Sequence, residues 1–267
     1  MTGISKINSD LCKISTWSKS HGLTLNASKS QAAIIGNPRQ TCKIDFNTTG
    51  SIVLNNSTIP FSATVKNLGL FIDSSFSWIP QTNYVSRRLF AAVGSLKRWK
   101  NLLPIKTKIS LAETLLLPIL DYADSSYTDL NEELLNKLER LQNLCIRFIY
   151  GLRKFDHITE YRTRLKWLTI RRRRDFHALT LLFSILYAPH TPSYLKDRFL
   201  GAADRDRKLR SSTDNKLQTP RNCTKFYGKS LTVYVVQLWN ALPKNIRDSK
   251  SLPIFKNRLK ELYLSMP

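Results

Sequence analysis

The chain has 267 residues, 42% of them apolar and 10% aromatic, which is long and apolar enough to bury a core and excludes a wholly disordered polymer. Lys and Arg number 42 against 19 Asp and Glu, a formal net charge of +23. Such a field attracts polyanions, with nucleic acid ahead of an anionic membrane surface or simple solubility. Cys12, Cys42, Cys145 and Cys223 stand far apart with no Cys-x-x-Cys pair, which suits a reducing compartment and argues against a zinc ribbon. His21, His157, His177 and His190 are equally scattered, so no metal site is expected within this chain.

In chain order, Ile7, Leu11, Ile14 and Trp17 recur at helical spacing and predict one apolar stripe on a helix over residues 4–20, ended near Gly22. The period then changes. Short runs rich in Ile, Val and Thr at 30–35, 43–46, 51–54, 58–61 and 65–73, separated by Asn, Pro and Gly, predict a small antiparallel sheet. After Trp78 and Pro80 the pattern is helical: Val85, Leu89, Val93 and Leu96 form one stripe. Ile109, Ala112, Leu116 and Ile119 form another that Pro118 should kink or end. Leu134, Leu138, Leu141, Cys145 and Phe148 mark a helix over 131–150 with Gly151 as its stop, and a further helix spans 171–187. The longest uncharged stretch, 178–195, is interrupted by Pro189, His190 and Pro192 and is too short to cross a bilayer. Residues 201–222 read as an exposed linker. Two helices follow, one lined by Leu231, Val235, Leu238 and Leu242 and one capped by Ser251 with Phe255, Leu259 and Leu262 on a face.

Trp17, Leu25, Asn26 and Lys29, then VKNLGLFIDSSFSW at 65–78, then LLPILDYADSSY, LERLQNLCIRFIYG, LKWLTIRRRR, LWNALP and SLPIFKNRLKELY occur in that order. Together they resemble the distal palm, thumb and carboxy-terminal region of reverse transcriptases from non-LTR (LINE-type, jockey-like) retrotransposons. The resemblance implies an α+β fold: a short helix and small antiparallel sheet over 1–78 as a palm remnant, then a mainly α-helical thumb over 79–200. The linker 201–222 and a helical region over 223–267 complete it. It also implies an RNA-directed DNA polymerase whose metal-binding aspartates belong to strands before the Trp17 helix. Nucleotide addition needs two divalent metals about 3.5–4 Å apart on carboxylates. The polypeptide is therefore expected to be inactive alone and to hold no cofactor, Mg2+ belonging to the full-length enzyme. The implied placement is intracellular, in a nuclear or cytoplasmic ribonucleoprotein, and not secreted. The implied partners are RNA and DNA as a template-primer duplex and the missing N-terminal polymerase part, with neither a membrane nor a small-molecule substrate.

Residue by residue, the resemblance puts Lys29 beside the departing pyrophosphate, where an ammonium can donate a proton, against the plainer reading of a solvated lysine. It places Leu68 and Gly69 in a hairpin that supports the primer end, against a plain turn. Tyr122-Ala123-Asp124 imitates part of a polymerase hairpin, but Ser125 replaces the second Asp and the segment follows Lys29, so it reads as a helix terminus. The basic stretches are independent of ancestry. No acid occurs between Ser74 and Ala112, while Arg87, Arg88, Lys97, Arg98, Lys100, Lys106 and Lys108 do, beside Trp99. They predict a phosphate-binding face. Arg162, Arg164, Lys166 and the run Arg171 to Arg174 form a second basic group, suited also to nuclear import, within which Arg171 and Arg174 share a helix face and are expected to touch nucleic acid. Trp167, Trp239, Gln142 and Asn143 are expected to be packing residues. The rival reading is a freestanding basic nucleic-acid-binding module without polymerase ancestry.

Overall fold

The N-terminal helical period is realised as α1 (Gly3–Ser20), but the docking face of this helix is largely polar. In the computed structural model, which describes residues 3–44, 50–199, 201, 215–221 and 224–266, Leu11 packs against Ile52, Leu54 and Ile59 while Ser15 and Ser18 are buried. Asn8 donates to Ser51 O and accepts from Val53 N, each at 3.0 Å, and Ser15 Oγ donates to Asn55 Oδ1 at 2.7 Å. Ile7, Ile14 and Trp17 lie on the open side, Trp17 at 57% exposure. The single apolar stripe expected of this helix is thus split between a half-buried Leu11 and an exposed remainder.

Two hairpins replace the single small sheet expected. β1 (Ile52–Leu54) pairs antiparallel with β2 (Ser57–Ile59), and β3 (Thr64–Asn67) with β4 (Leu70–Asp73). Asn55 and Asn56, then Leu68 and Gly69, all have positive φ, the geometry a two-residue hairpin turn requires. The run 30–35 contributes one parallel bridge, Ala32 to Phe61. Pro38–Thr41 forms a single helical turn, α2, where Asn37 caps it. The run expected at 43–46 extends into residues 45–49, outside the described residues. Met1–Tyr84 forms one compact unit and Val85–Pro267 the other, the division falling within α3 (Ile79–Lys97).

The second unit is helical: α4 (Ile105–Leu111), α5 (Leu117–Asp121), α6 (Glu132–Tyr150), α7 (Thr159–Leu165), α8 (Ile170–Tyr187), α9 (Ser193–Lys196), α10 (Lys225–Gly228), α11 (Leu231–Ala241), α12 (Lys244–Arg247) and α13 (Leu252–Ser265). Pro118 lacks the N–H a regular helix needs, and the chain answers with a π-helical turn over Ala112–Leu116 in which Leu117 N reaches Ala112 O. Asn131 caps α6 by accepting from Leu134 N, and Gly151, at φ 70, ends it.

Leu179, Leu182 and Phe183 of α8, Val235 and Trp239 of α11, and Phe255 and Leu259 of α13 form one core, with Phe183 and Phe255 stacked at 4.5 Å. Each such side chain contributes roughly 1.5–3 kcal/mol on burial. The helices before and after residues 201–222 thus share a core. Residues 202–214 and 222 of the expected linker, and Cys223, lie outside the described residues. Its later part is fastened: Leu217 is buried, and the Asn240 amide both donates to its carbonyl and accepts from its N–H at 2.9 Å.

Candidate nucleic-acid interface

On α3 the period that buries Val85, Leu89 and Val93 leaves Arg87, Arg88, Lys97 and Arg98 exposed on other faces. Lys100 and Lys106 are also exposed, and Lys108 is half-buried. Among the described residues no carboxylate pairs with Arg87, Lys97, Arg98, Lys100, Lys106 or Lys108. Five cations, Lys97, Lys100, Arg140, Arg147 and Lys154, rim a groove of about 460 Å³ between α3 and the end of α6. Its floor is apolar, formed by Phe90, Leu144, Phe148 and Leu152, and no acid lines it. Arg147 also donates to the carbonyls of Arg153 and Lys154 at 3.1 and 2.9 Å, holding the turn after Gly151. The C-terminus of α6 carries only about half a negative charge, so the rim stays strongly positive. Trp99 and Phe155 are exposed beside these cations, with Lys154 Nζ 5.4 Å from the Phe155 ring centre.

Arg140, Arg147 and Lys154 belong to this site although sequence reasoning did not select them. Arg140 and Arg147 are seven residues apart and so share a face of α6, but three glutamates in the same helix, Glu132, Glu133 and Glu139, mask the signal by composition. Nothing in the linear pattern says that this face meets Phe90 and Lys97.

The second basic group proves different from what its composition suggests. Arg174 is 9% exposed: it donates to the carbonyls of Asp124 (2.8 Å) and Tyr127 and lies over the Tyr127 ring at 4.5 Å. It is turned into the fold, where it lines a small cavity with Asp175 and Tyr234. Arg171 pairs with Glu132 and Asn136, Arg172 donates to the carbonyls of Tyr263 and Met266, and Arg173 grips both oxygens of Asp121. Burial opposes the charge of Arg173, but Asp121 more than offsets it and its pKa lies above the ordinary value. Arg162 holds Glu139 and Asn143, and Arg164 holds Glu160. Successive arginines on a helix point about 100° apart, and here each finds its own acceptor within the chain, Arg171 at the surface and Arg174 in the interior.

The remaining predicted residues are in the first unit. Lys29 is exposed at the end of a single 3₁₀ turn, Ala27–Lys29, where the Asn26 side chain accepts from its backbone N–H at 3.2 Å. Leu68, 84% exposed with φ 46, and Gly69, with φ 87, form the tip between β3 and β4. Asp73 is buried at the end of β4 and accepts from Ser75 Oγ at 2.6 Å, Ser77 N at 3.0 Å and Trp78 N at 3.1 Å. Burial alone would raise its pKa, but these bonds outweigh it and hold the carboxyl below the usual 3.8. They also brace Phe76 and Trp78, both at positive φ.

Asp121, Asp124 and His177 place three possible metal-ligand atoms within 4.8 Å of one another. Arg173 Nε donates to Asp121 at 2.6 Å, and Asp124 accepts from Ser125 and bonds His177 Nδ1 at 2.6 Å. The acceptors are engaged and an arginine neutralises the nearer carboxylate, so these residues do not fit a polymerase's two-magnesium seat. Tyr122 caps α5, and Ala123 at φ 52 turns the chain into the short helical turn that starts at Asp124.

Gln142 is fully buried and donates to Leu168 O at 2.9 Å, and Trp239 Nε1 donates to Asn215 O at 2.9 Å. Trp167 Nε1 donates to Glu113 at 3.0 Å. These residues tie helices to the connecting segments beside them. No helix among the described residues is long and apolar enough to cross a membrane. Comparison of the chain with protein-family models, with curated proteins and with solved structures gave no match in any of the three.

Proposed function

We propose that this chain is a distal-palm and thumb portion of a non-LTR retroelement reverse transcriptase that holds RNA or DNA, as a template-primer duplex, through phosphate contacts. The observation that carries the proposal is the acid-free rim of Lys97, Lys100, Arg140, Arg147 and Lys154 continuing into the exposed cations of α3. Ordinary solvated helices balance their lysines with acids, and this surface does not. The order of motifs from Trp17 to the last helix supports the ancestry. Polymerisation is not part of the proposal, because the resemblance assigns the metal-binding aspartates to strands preceding Trp17. Lys29, Leu68 and Gly69 would act only beside those strands.

The test is binding of a labelled primer-template duplex, followed by fluorescence anisotropy, to wild type and to a variant with Arg87, Arg88, Lys97 and Arg98 changed to Glu. Four charge reversals along α3 and its end are expected to weaken binding by about 100-fold or more, each phosphate contact being linked to counterion release. Unchanged affinity would move the binding face elsewhere. A face complete within the second unit would equally serve a freestanding basic module. An in-frame Tyr-x-Asp-Asp box in the DNA upstream separates the two, since the module predicts none.

A further inference from the structure

The floor of the groove beside α3 offers apolar surface that a duplex held by its phosphates does not use. The groove's rim is cationic, but its floor is Phe90, Leu144, Phe148 and Leu152, and a duplex presents phosphates, sugars and base edges but no base faces to a side-on protein surface. Aromatic and aliphatic surface next to cations is what an unpaired base and its own phosphates require. Phe90 is 58% exposed although it stands in the middle of a well-packed helix.

Gly94 adds a second, independent sign. It is an interior glycine of α3, exposed, and a side chain built there would meet no described atom within 4 Å. Glycine disfavours the helix and packing does not demand it here, so the remaining physical use of the missing side chain is close approach of something to the helix backbone. It lies on the same side as Phe90, four residues before it, and Lys97, three after, with Arg87 and Arg98 at the ends of the stripe.

We propose that, building on the nucleic-acid reading above, the second unit binds an unpaired single strand. Its backbone crosses α3 over Gly94, and one base is laid against Phe90 on the groove floor. Lys97, Lys100, Arg140 and Arg147 take the flanking phosphates. An acidic amphipathic peptide would satisfy the groove but not the stripe of cations that continues along α3, so a repeating polyanion is the better match.

The test compares a short single-stranded oligonucleotide with a blunt duplex of equal length, using wild type, Phe90→Ala and Gly94→Leu. Phe90 is exposed, so its removal leaves the core intact. Gly94→Leu is expected to raise the thermal midpoint, because leucine favours the helix over glycine. Both variants are expected to weaken single-strand binding by about 10-fold or more while leaving duplex affinity within about 2-fold. A stabilised protein that binds worse cannot be explained by damage to the fold. If duplex binds as proposed but neither variant affects the single strand, this inference falls and the broader reading stands. If wild type binds neither nucleic acid, both fall. If an acidic amphipathic peptide binds more tightly than the oligonucleotide and Phe90→Ala abolishes that, the groove belongs to a protein partner and the inference is overturned.

Discussion

Asp73 illustrates how a single carboxylate sets the conformation of a segment with two non-glycine residues at positive φ. Its oxygens collect the N–H groups of Ser75, Ser77 and Trp78 and the Ser75 hydroxyl, so Phe76 and Trp78 are held in left-handed backbone just before α3 begins. Replacing it with alanine leaves those donors unpaired in a buried place, and Asp73→Ala is expected to cost about 1.5–3 kcal/mol, read from urea unfolding of this unit. Because the native pKa lies below the ordinary 3.8, the stabilisation is complete above that value and is lost as pH falls through the native one. The gap between wild type and variant should therefore close below about pH 4. A gap that persists in strong acid would mean that packing and not the charge is responsible. The turn at Asn55-Asn56 was legible in sequence because short polar side chains favour that local geometry. Leu68 was less so: leucine disfavours positive φ, and only the flanking strand register places it at the tip.

At the scale of elements, helical period located the long helices well and said little about what each face would meet. In α1 the apolar period was real, yet Asn8 and Ser15 made the contacts, since the hairpin offers a carbonyl, an N–H and the Asn55 amide there. The arginine run in α8 shows the same gap between pattern and partner. Four adjacent cations resemble a ligand surface, but their acceptors come from α5, α6, α13 and the turn after α5, brought together only by the fold. Two substitutions in the same run are thus expected to behave differently. Arg174→Ala strands two buried carbonyls and removes a cation from the Tyr127 ring, at about 3 kcal/mol. Arg171→Ala breaks an exposed pair with Glu132 and should cost at most about 1 kcal/mol. Thermal denaturation of the two variants checks this, and equal costs would contradict the assignment of Arg174 to the interior. The π-helical turn at Ala112–Leu116 was foreshadowed by Pro118, since only the missing N–H was needed to foresee a fault in that helix.

For the whole molecule, the excess of 42 basic over 19 acidic residues is visible without any structure; it motivates the proposal of a polyanionic partner but does not locate a surface. The fold redistributes it. Of the two basic groups that composition offers, the one around Arg171 to Arg174 is consumed internally, while the one along α3 gains Arg140, Arg147 and Lys154 from α6 and the turn behind it. The carboxy-terminal helices, which looked separable across residues 201–222, join α8 in one core because Trp239, Phe255 and Phe183 pack as a single aromatic cluster. The most direct measurement is the slope of log Kd against log salt concentration for a nucleic-acid duplex. If the five rim cations each displace a counterion, the slope has a magnitude of about 4–5, and binding weakens several-hundred-fold between about 50 and 200 mM salt. A slope near zero, with binding retained, would show that this cationic rim does not carry the interaction.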